Sequence, residues 1–442
     1  MFTKRVKARL PWLEHVAEEP SLVEILPSDQ EEISVRTRRG SLCLTCRGSR
    51  LLCGKSRCPL LIRASKLQKT VKMISGEELN GTSPPGVFVG RFGYPKVRAG
   101  PLIPPERGDT SLMDRPEGWL GLPVDQIVSF RVSLIRASFK ADVRKPWLAG
   151  RLYEETLEAA LASRPVDAEA KLSSPPRASL LLDAEVQPMG PLAPVEDIRA
   201  DAVPWDPGLE KAHYDKDLRA SEAVLELYSR GVEVSGIQRA FSVGAFGLSH
   251  LRRMVPTRWS ITAVDDIISA RLREKVKSYD SISEYRIYRL EAYGNRWVVL
   301  MMPGVWTYES IEAWYPGTTW NPSGDVAFVG DSEGPLGRTE YASMGGCYYA
   351  ARLAVAEALA RERRQARVIV WREIHRDQLM PLGVWLVRES VRAALRNPPS
   401  RFQTLEEALR EVGSFLKLPL QFWLRVSDTL FSYRQETLAP YL

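Results

Sequence analysis

Apolar residues recur at helical spacing in some stretches of the chain and alternate in others, and the two patterns interleave from end to end. The run CPLLIRASKLQKTVKMI, residues 58–74, reads as helical. Val87, Phe88 and Val89 predict a short strand, and Gly90-Arg91-Phe92-Gly93-Tyr94-Pro95 a tight turn after it. LPVDQIVSFRVSLIRA, within 114–137, reads as an amphipathic helix. Residues 165–215 are dense in proline and read as a loop-heavy insertion with one strand at Ala178–Leu182. A helix over Asp217–Ser229 closes at Gly231. Thr262 and Asp265 have capping-box spacing and predict a helix over Ala263–Lys277.

Tyr285–Ala292 and Arg296–Met302 flank Gly294-Asn295 and predict a hairpin. Residues 312–344 are punctuated by glycine and read as loops. A helix over Cys347–Arg364, with small residues Ala350, Ala351, Ala354 and Ala358 on one face, precedes a strand at Ala366–Glu373. MPLGVWLVRESVRAAL continues into helix. Thr404 and Glu407 form a second capping box opening Leu405–Leu416, and a last helix covers about Pro419–Ser432. The sum is an α+β (mixed α/β) fold, with a small cysteine knuckle near its start and a mainly helical C-terminal region after one strand.

With 442 residues, 44% hydrophobic and 26% charged, the chain has an ordinary globular balance. That excludes wholesale disorder and permits a core without disulfides. No apolar stretch is long enough for a transmembrane helix, and the basic start lacks the apolar core of a secretory signal, so the expected compartment is the cytoplasm. The net charge of +7 permits nucleic-acid contact without requiring it.

Cys43, Cys46, Cys53 and Cys58 follow the spacing C-x2-C-x6-C-x4-C. In a cytosolic chain such a cluster reads as a metal site. Four thiolates satisfy tetrahedral zinc and leave no open position, so the zinc is structural. The same ligands can hold an iron–sulfur cluster. Arg47, Arg50, Lys55 and Arg57 would offset the site's negative charge, and the knuckle is also a candidate nucleic-acid contact. Cys347 stands alone and reads as a small buried apolar residue. The four histidines, His15, His213, His250 and His375, make no metal or triad spacing.

Two sets of residues carry candidate chemistry. Arg91 and Lys96 at the Gly/Pro turn, and Arg258 before a helix, suit a phosphate or nucleotide. Asp265, Asp266 and Asp331 are the candidate catalytic carboxylates, able to position water or a divalent ion. Asp265 also has its capping role. Together the sets describe a nucleotide- or nucleic-acid-phosphate hydrolase.

The chain closes with Gln435, Leu438, Tyr441 and Leu442 in the pattern Q-x-x-L-x-x-Y-L. This resembles the PCNA-interacting peptide. A single 3₁₀ turn would gather Leu438, Tyr441 and Leu442 into an apolar plug, with Gln435 beside it.

Three longer motifs carry a wider resemblance: C-G-x-x-x-C-P-L-L from Cys53, SPPGVFVGRFGYPKV-x-x-GPL over 83–102, and VPTRWSITAVDD over 255–266. With the tail, they make the chain look like the archaeal Nre proteins. The resemblance implies a DNA repair or DNA damage response role with the sliding clamp PCNA as partner. It divides the chain into an N-terminal segment (1–40), a zinc knuckle (41–62), an N-terminal domain (63–310), a C-terminal domain (311–434) and a clamp-binding tail (435–442). The tail departs from the family pattern in ending Tyr-Leu rather than with two aromatics. Three functions follow as expectations: a repair factor tethered to PCNA and touching DNA, the hydrolase, and an RNA-binding protein.

Overall fold

The computed structural model describes residues 33–36, 46, 50–74, 76–176, 178–181, 189–321 and 324–438. Two six-stranded sheets organise them. The first contains β2 (Glu78–Ser83), β3 (Val87–Val89), β4 (Lys96–Ile103), β5 (Ile135–Asp142), β6 (Val166–Leu172) and β8 (Leu192–Ala200). Its spatial order is β2-β6-β8-β5-β4-β3. A separate parallel pair joins β1 (Ile33–Arg36) to β7 (Ala178–Leu181). The second sheet contains β9 (Tyr285–Ala292), β10 (Asn295–Met302), β11 (Thr307–Trp314), β12 (Ala327–Glu333), β13 (Arg367–Ile374) and β14 (Ser400–Phe402). Its order is β12-β11-β13-β10-β9-β14.

Twelve α-helices accompany the sheets among the described residues. They are α1 (Pro59–Lys72), α2 (Val124–Ser133), α3 (Arg151–Leu161), α4 (Pro207–Tyr214), α5 (Ala220–Ser229), α6 (Val234–Ser242), α7 (Thr257–Val276), α8 (Gly346–Glu362), α9 (Val384–Arg396), α10 (Leu405–Phe415), α11 (Leu420–Val426) and α12 (Asp428–Leu438). The architecture is the expected α+β mixture. None of the described helices is long and apolar enough to cross a membrane.

The second sheet is covered on both faces, which explains the unbroken apolar run of β10. Val299 and Met301 face α8 and α9, with Val355 and Val391. Val298, Leu300 and Met302 face the other layer, with Leu409, Val412 and Trp423. The alanine face of α8 is fully buried, as its small side chains permit close approach to the sheet. The Thr404–Glu407 capping box forms reciprocally, at 3.3 Å in each direction.

Several expectations are corrected. The C-terminal region is not one strand followed by helices: after residue 310 the chain completes β11 and adds β12, β13 and β14. β12 lies inside the stretch read as loop. Its polar AFVGDSE sequence hides the strand because Glu333 is buried against arginine rather than against an apolar core. The proline-rich 165–215 stretch supplies β6 and β8 to the interior of the first sheet. The amphipathic run ends as helix at Ser133 and turns into β5. The hairpin turn is Tyr293-Gly294, one residue earlier than expected; both have positive φ, 51° and 70°, as a type I′ turn needs. The last helix is two, broken at Ser427.

The helix placed at Ala263 begins instead at Thr257, behind Pro256. Thr262 and Asp265 therefore lie inside α7 and cap nothing. Proline at the N-cap leads the chain in, and the capping-box spacing further along is coincidental.

Candidate functional site

The Gly/Pro turn between β3 and β4 rests on the start of α7. The Val89 amide donates to Thr257 Oγ1 at 2.9 Å. The Tyr94 ring sits 5.3 Å from that of Trp259. Gly93 has φ +78°, and a Cβ there would approach the Lys96 carbonyl to 2.8 Å, so the tight turn requires glycine. Arg91 and Lys96 are thereby brought to the same corner as Arg258, in the first turn of α7; all three are exposed. The Arg91 guanidinium lies 5.2 Å from the Phe92 ring centre.

A third segment joins this corner. The Val143 amide donates to the Pro95 carbonyl, and the Met254 amide to the Val143 carbonyl, each at 2.9 Å. These bonds hold exposed Arg144, Lys145 and Arg253 beside the turn, with Trp147 and Leu148 following. Asp142 lies opposite Lys96 in the ladder and accepts the Arg144 amide at 2.9 Å. Sequence reasoning found the turn and Arg258 but missed Arg144, Lys145 and Trp147. Their signal was present as basic and aromatic residues interleaved in both GRFGYPK and DVRKPWL.

The three candidate carboxylates do not share this corner. Asp265 lies seven residues from Arg258, about 10 Å along the helix axis, and is fully buried. Arg388 Nη1 donates to both its oxygens, at 2.9 and 3.0 Å, and Gln238 Nε2 adds a bond at 2.9 Å. Burial pushes its pKa up to about 6 against the pull of Arg388. Asp266 pairs with Arg352, which also donates to Glu333 at 2.7 Å. Asp331 accepts from Arg338 at 2.5 Å and from the Ser343 amide at 2.7 Å. Burial opposes ionisation of Asp331, yet Arg338 and Ser343 hold its carboxyl below the usual range. Each carboxylate closes on its own arginine, so these residues bridge packed elements.

Of the four clustered cysteines, Cys43 lies outside the described residues. The Leu52 amide donates to Cys46 Sγ at 3.5 Å, and Cys58 is the N-cap residue of α1. Between them Lys55 is buried, with Nζ donating to the Gln378 and Arg376 carbonyls. Burial lowers its pKa, partly offset by Cys53 and Asp377. Among the described residues no three His, Cys, Asp or Glu gather as a metal site. Cys347 packs against the core of the second sheet, and burial together with Glu312 pushes its thiol up to about 12.

At the end of the chain, Gln435 and Leu438 fall in the last turn of α12, while Tyr441 and Leu442 lie outside the described residues. The helix is anchored at its start. Glu309 on β11 accepts from Ser427 Oγ at 2.5 Å and from the Asp428 amide at 2.7 Å. Further along, the Tyr433 and Tyr285 hydroxyls meet at 2.7 Å.

Comparison with known proteins matches residues 52–321 to the family described as archaeal Nre, N-terminal, and residues 333–441 to archaeal Nre, C-terminal. The DNA repair protein NreB of Archaeoglobus fulgidus is 44% identical over 401 residues, covering 90% of this chain and 100% of the relative. NreA of the same organism is 38% identical, over 83% of this chain and 92% of its own. NreA of Haloferax volcanii is 37% identical, over 78% and 85% respectively. No solved structure matches the chain.

Proposed function

We propose, from the premise that this chain belongs to the archaeal Nre family, whose relatives are named DNA repair proteins, that it serves DNA repair by holding DNA on the corner built from the Gly/Pro turn, the 142–148 loop and the start of α7. The observation that carries this reading is the convergence of Arg91, Lys96, Arg144, Lys145 and Arg258 from three separate segments onto one exposed surface. Such cations neutralise backbone phosphates and release their counterions. The hydrolase reading draws no support from its carboxylates, because Asp265, Asp266 and Asp331 are each held by an arginine.

The tail adds recruitment. Gln435, Leu438, Tyr441 and Leu442 would engage PCNA; the first two lie in the last turn of α12, whose start is fixed to β11 by Glu309. Tethering raises the local concentration of the body at the clamp without further contacts. Cys43, Cys46, Cys53 and Cys58 would hold a structural zinc. The hydrogen bond that Cys46 Sγ accepts from the Leu52 amide suits a thiolate ligand, and the Lys55 anchor would tie the knuckle to the body. Titrating the full-length chain with DNA over a salt series tests the main claim. Binding that weakens with salt, and weakens further in Arg258→Ala, is expected; binding indifferent to both would refute it.

A further inference from the structure

The cations of this corner leave open which form of DNA it takes, and the side chains between them answer that, given the reading that the corner holds DNA. Large aromatic rings ordinarily sink into the core. Here four stand in solvent: Phe92 is 60% exposed, Trp147 55%, Trp259 46% and Tyr94 43%. They are not scattered. Tyr94 and Trp259 touch, Phe92 lies two residues before Tyr94, and the Pro95–Val143 hydrogen bond brings in the segment that carries Trp147.

Duplex DNA keeps its base faces stacked on one another and offers a protein only phosphates and base edges. Exposed rings gain little from it. A single strand offers an open face at every base, and a ring beside a cation can stack on the base while the cation holds the phosphate. The corner offers that combination: Arg91 lies 5.2 Å from the Phe92 ring centre, and along the chain Arg258 precedes Trp259 and Lys145 comes two residues before Trp147. We infer that this surface binds single-stranded DNA, with Trp147 and Trp259 as stacking platforms and the neighbouring cations on the backbone.

The test uses the full-length chain and fluorescence anisotropy with labelled oligothymidylate, a blunt duplex of equal length, and oligouridylate. Oligothymidylate is expected to bind tightest. Trp147→Ala and Trp259→Ala should each weaken it about fivefold or more, and Trp147→Ala should leave duplex affinity unchanged. Lys145→Ala should weaken both DNA forms and shallow the salt dependence by about 0.7 in log–log slope per lost phosphate contact. Trp147 and Lys145 are exposed, so unchanged melting temperatures should accompany the losses in their variants, whereas Trp259 also packs on Tyr94, so Trp147→Ala is the variant that separates stacking from the build of the corner. Duplex bound as tightly as single strand, or tryptophan variants that bind oligothymidylate like the parent, would overturn the inference alone. Preference for oligouridylate would reassign the surface to RNA. Failure to bind any of the three would overturn the DNA-holding corner itself.

Discussion

Asp265 and Arg388 form a fully buried ion pair, with Arg388 Nη1 at 2.9 and 3.0 Å from the two carboxylate oxygens. The pair ties α7 to α9, and the Asp266–Arg352 contact ties α7 to α8 one residue further on. Adjacent aspartates on one helix thus clamp two neighbours, which gives both of them structural work.

Breaking the Asp265 pair leaves the buried Arg388 guanidinium with only its longer contact to Glu389, at 3.3 Å. Asp265→Ala should destabilise the protein by about 3–5 kcal/mol. The double variant Asp265→Leu with Arg388→Met should be much closer to the parent, because both charges leave together and Glu389 keeps its pair with Arg392 at 2.8 Å. Urea denaturation of both checks this; equal losses would show that the cost lies in packing and not in charge.

Glu309 links the stability of the second sheet to pH. Burial raises its carboxyl to about 7, against donation from Ser427 and the α12 amides. Its folded pKa exceeds the unfolded value, so the folded state binds more protons between about pH 4.5 and 7. Its contribution should therefore be largest in acid and decline by up to about 3 kcal/mol as pH rises through that window, then level off. Glu309→Gln should remove this part of the slope in a pH series of unfolding curves.

The tail should be separable from the body. Tyr441→Ala with Leu442→Ala is expected to abolish PCNA binding, measured by surface plasmon resonance, with no shift in melting temperature. Glu309→Ala should do the opposite: it removes the acceptor for the first amides of α12, costing about 1–2 kcal/mol. Retained clamp binding in the tail variant would refute the tail assignment.

Native mass spectrometry should find one zinc on the full-length chain, lost in Cys53→Ser. Chelation should lower the melting temperature, since metal-binding energy then contributes to folding. Iron and sulfide in its place would make the cysteines a cluster site.

Much was legible from residues alone. Spacing placed α1, α8 and α10, because their apolar or small faces repeat at helical period and Thr404 and Glu407 cap locally. The four-cysteine spacing and the Q-x-x-L-x-x-Y-L tail were equally visible, since such motifs are written within a few residues. The Gly/Pro turn was found as a turn with charge on it. β4 was not found: Gly100-Pro101 interrupts it, and only the approach of β5, where a Cβ at Gly100 would meet the Ala137 carbonyl at 1.7 Å, explains that glycine inside a strand.

By itself, then, the sequence determined the mixed fold class, the family motifs and the local elements, because propensity, capping and periodicity act over a few residues. Only the tertiary structure decided what the charged residues do. Asp265, Asp266 and Asp331 read as a catalytic set until packing placed an arginine on each. The segments that carry Arg258 and Arg91 are far apart along the chain and come together because the Val89 amide donates to Thr257 and Tyr94 packs on Trp259. Coulomb and stacking forces depend on distance in space, and distance in space is what a linear pattern does not contain.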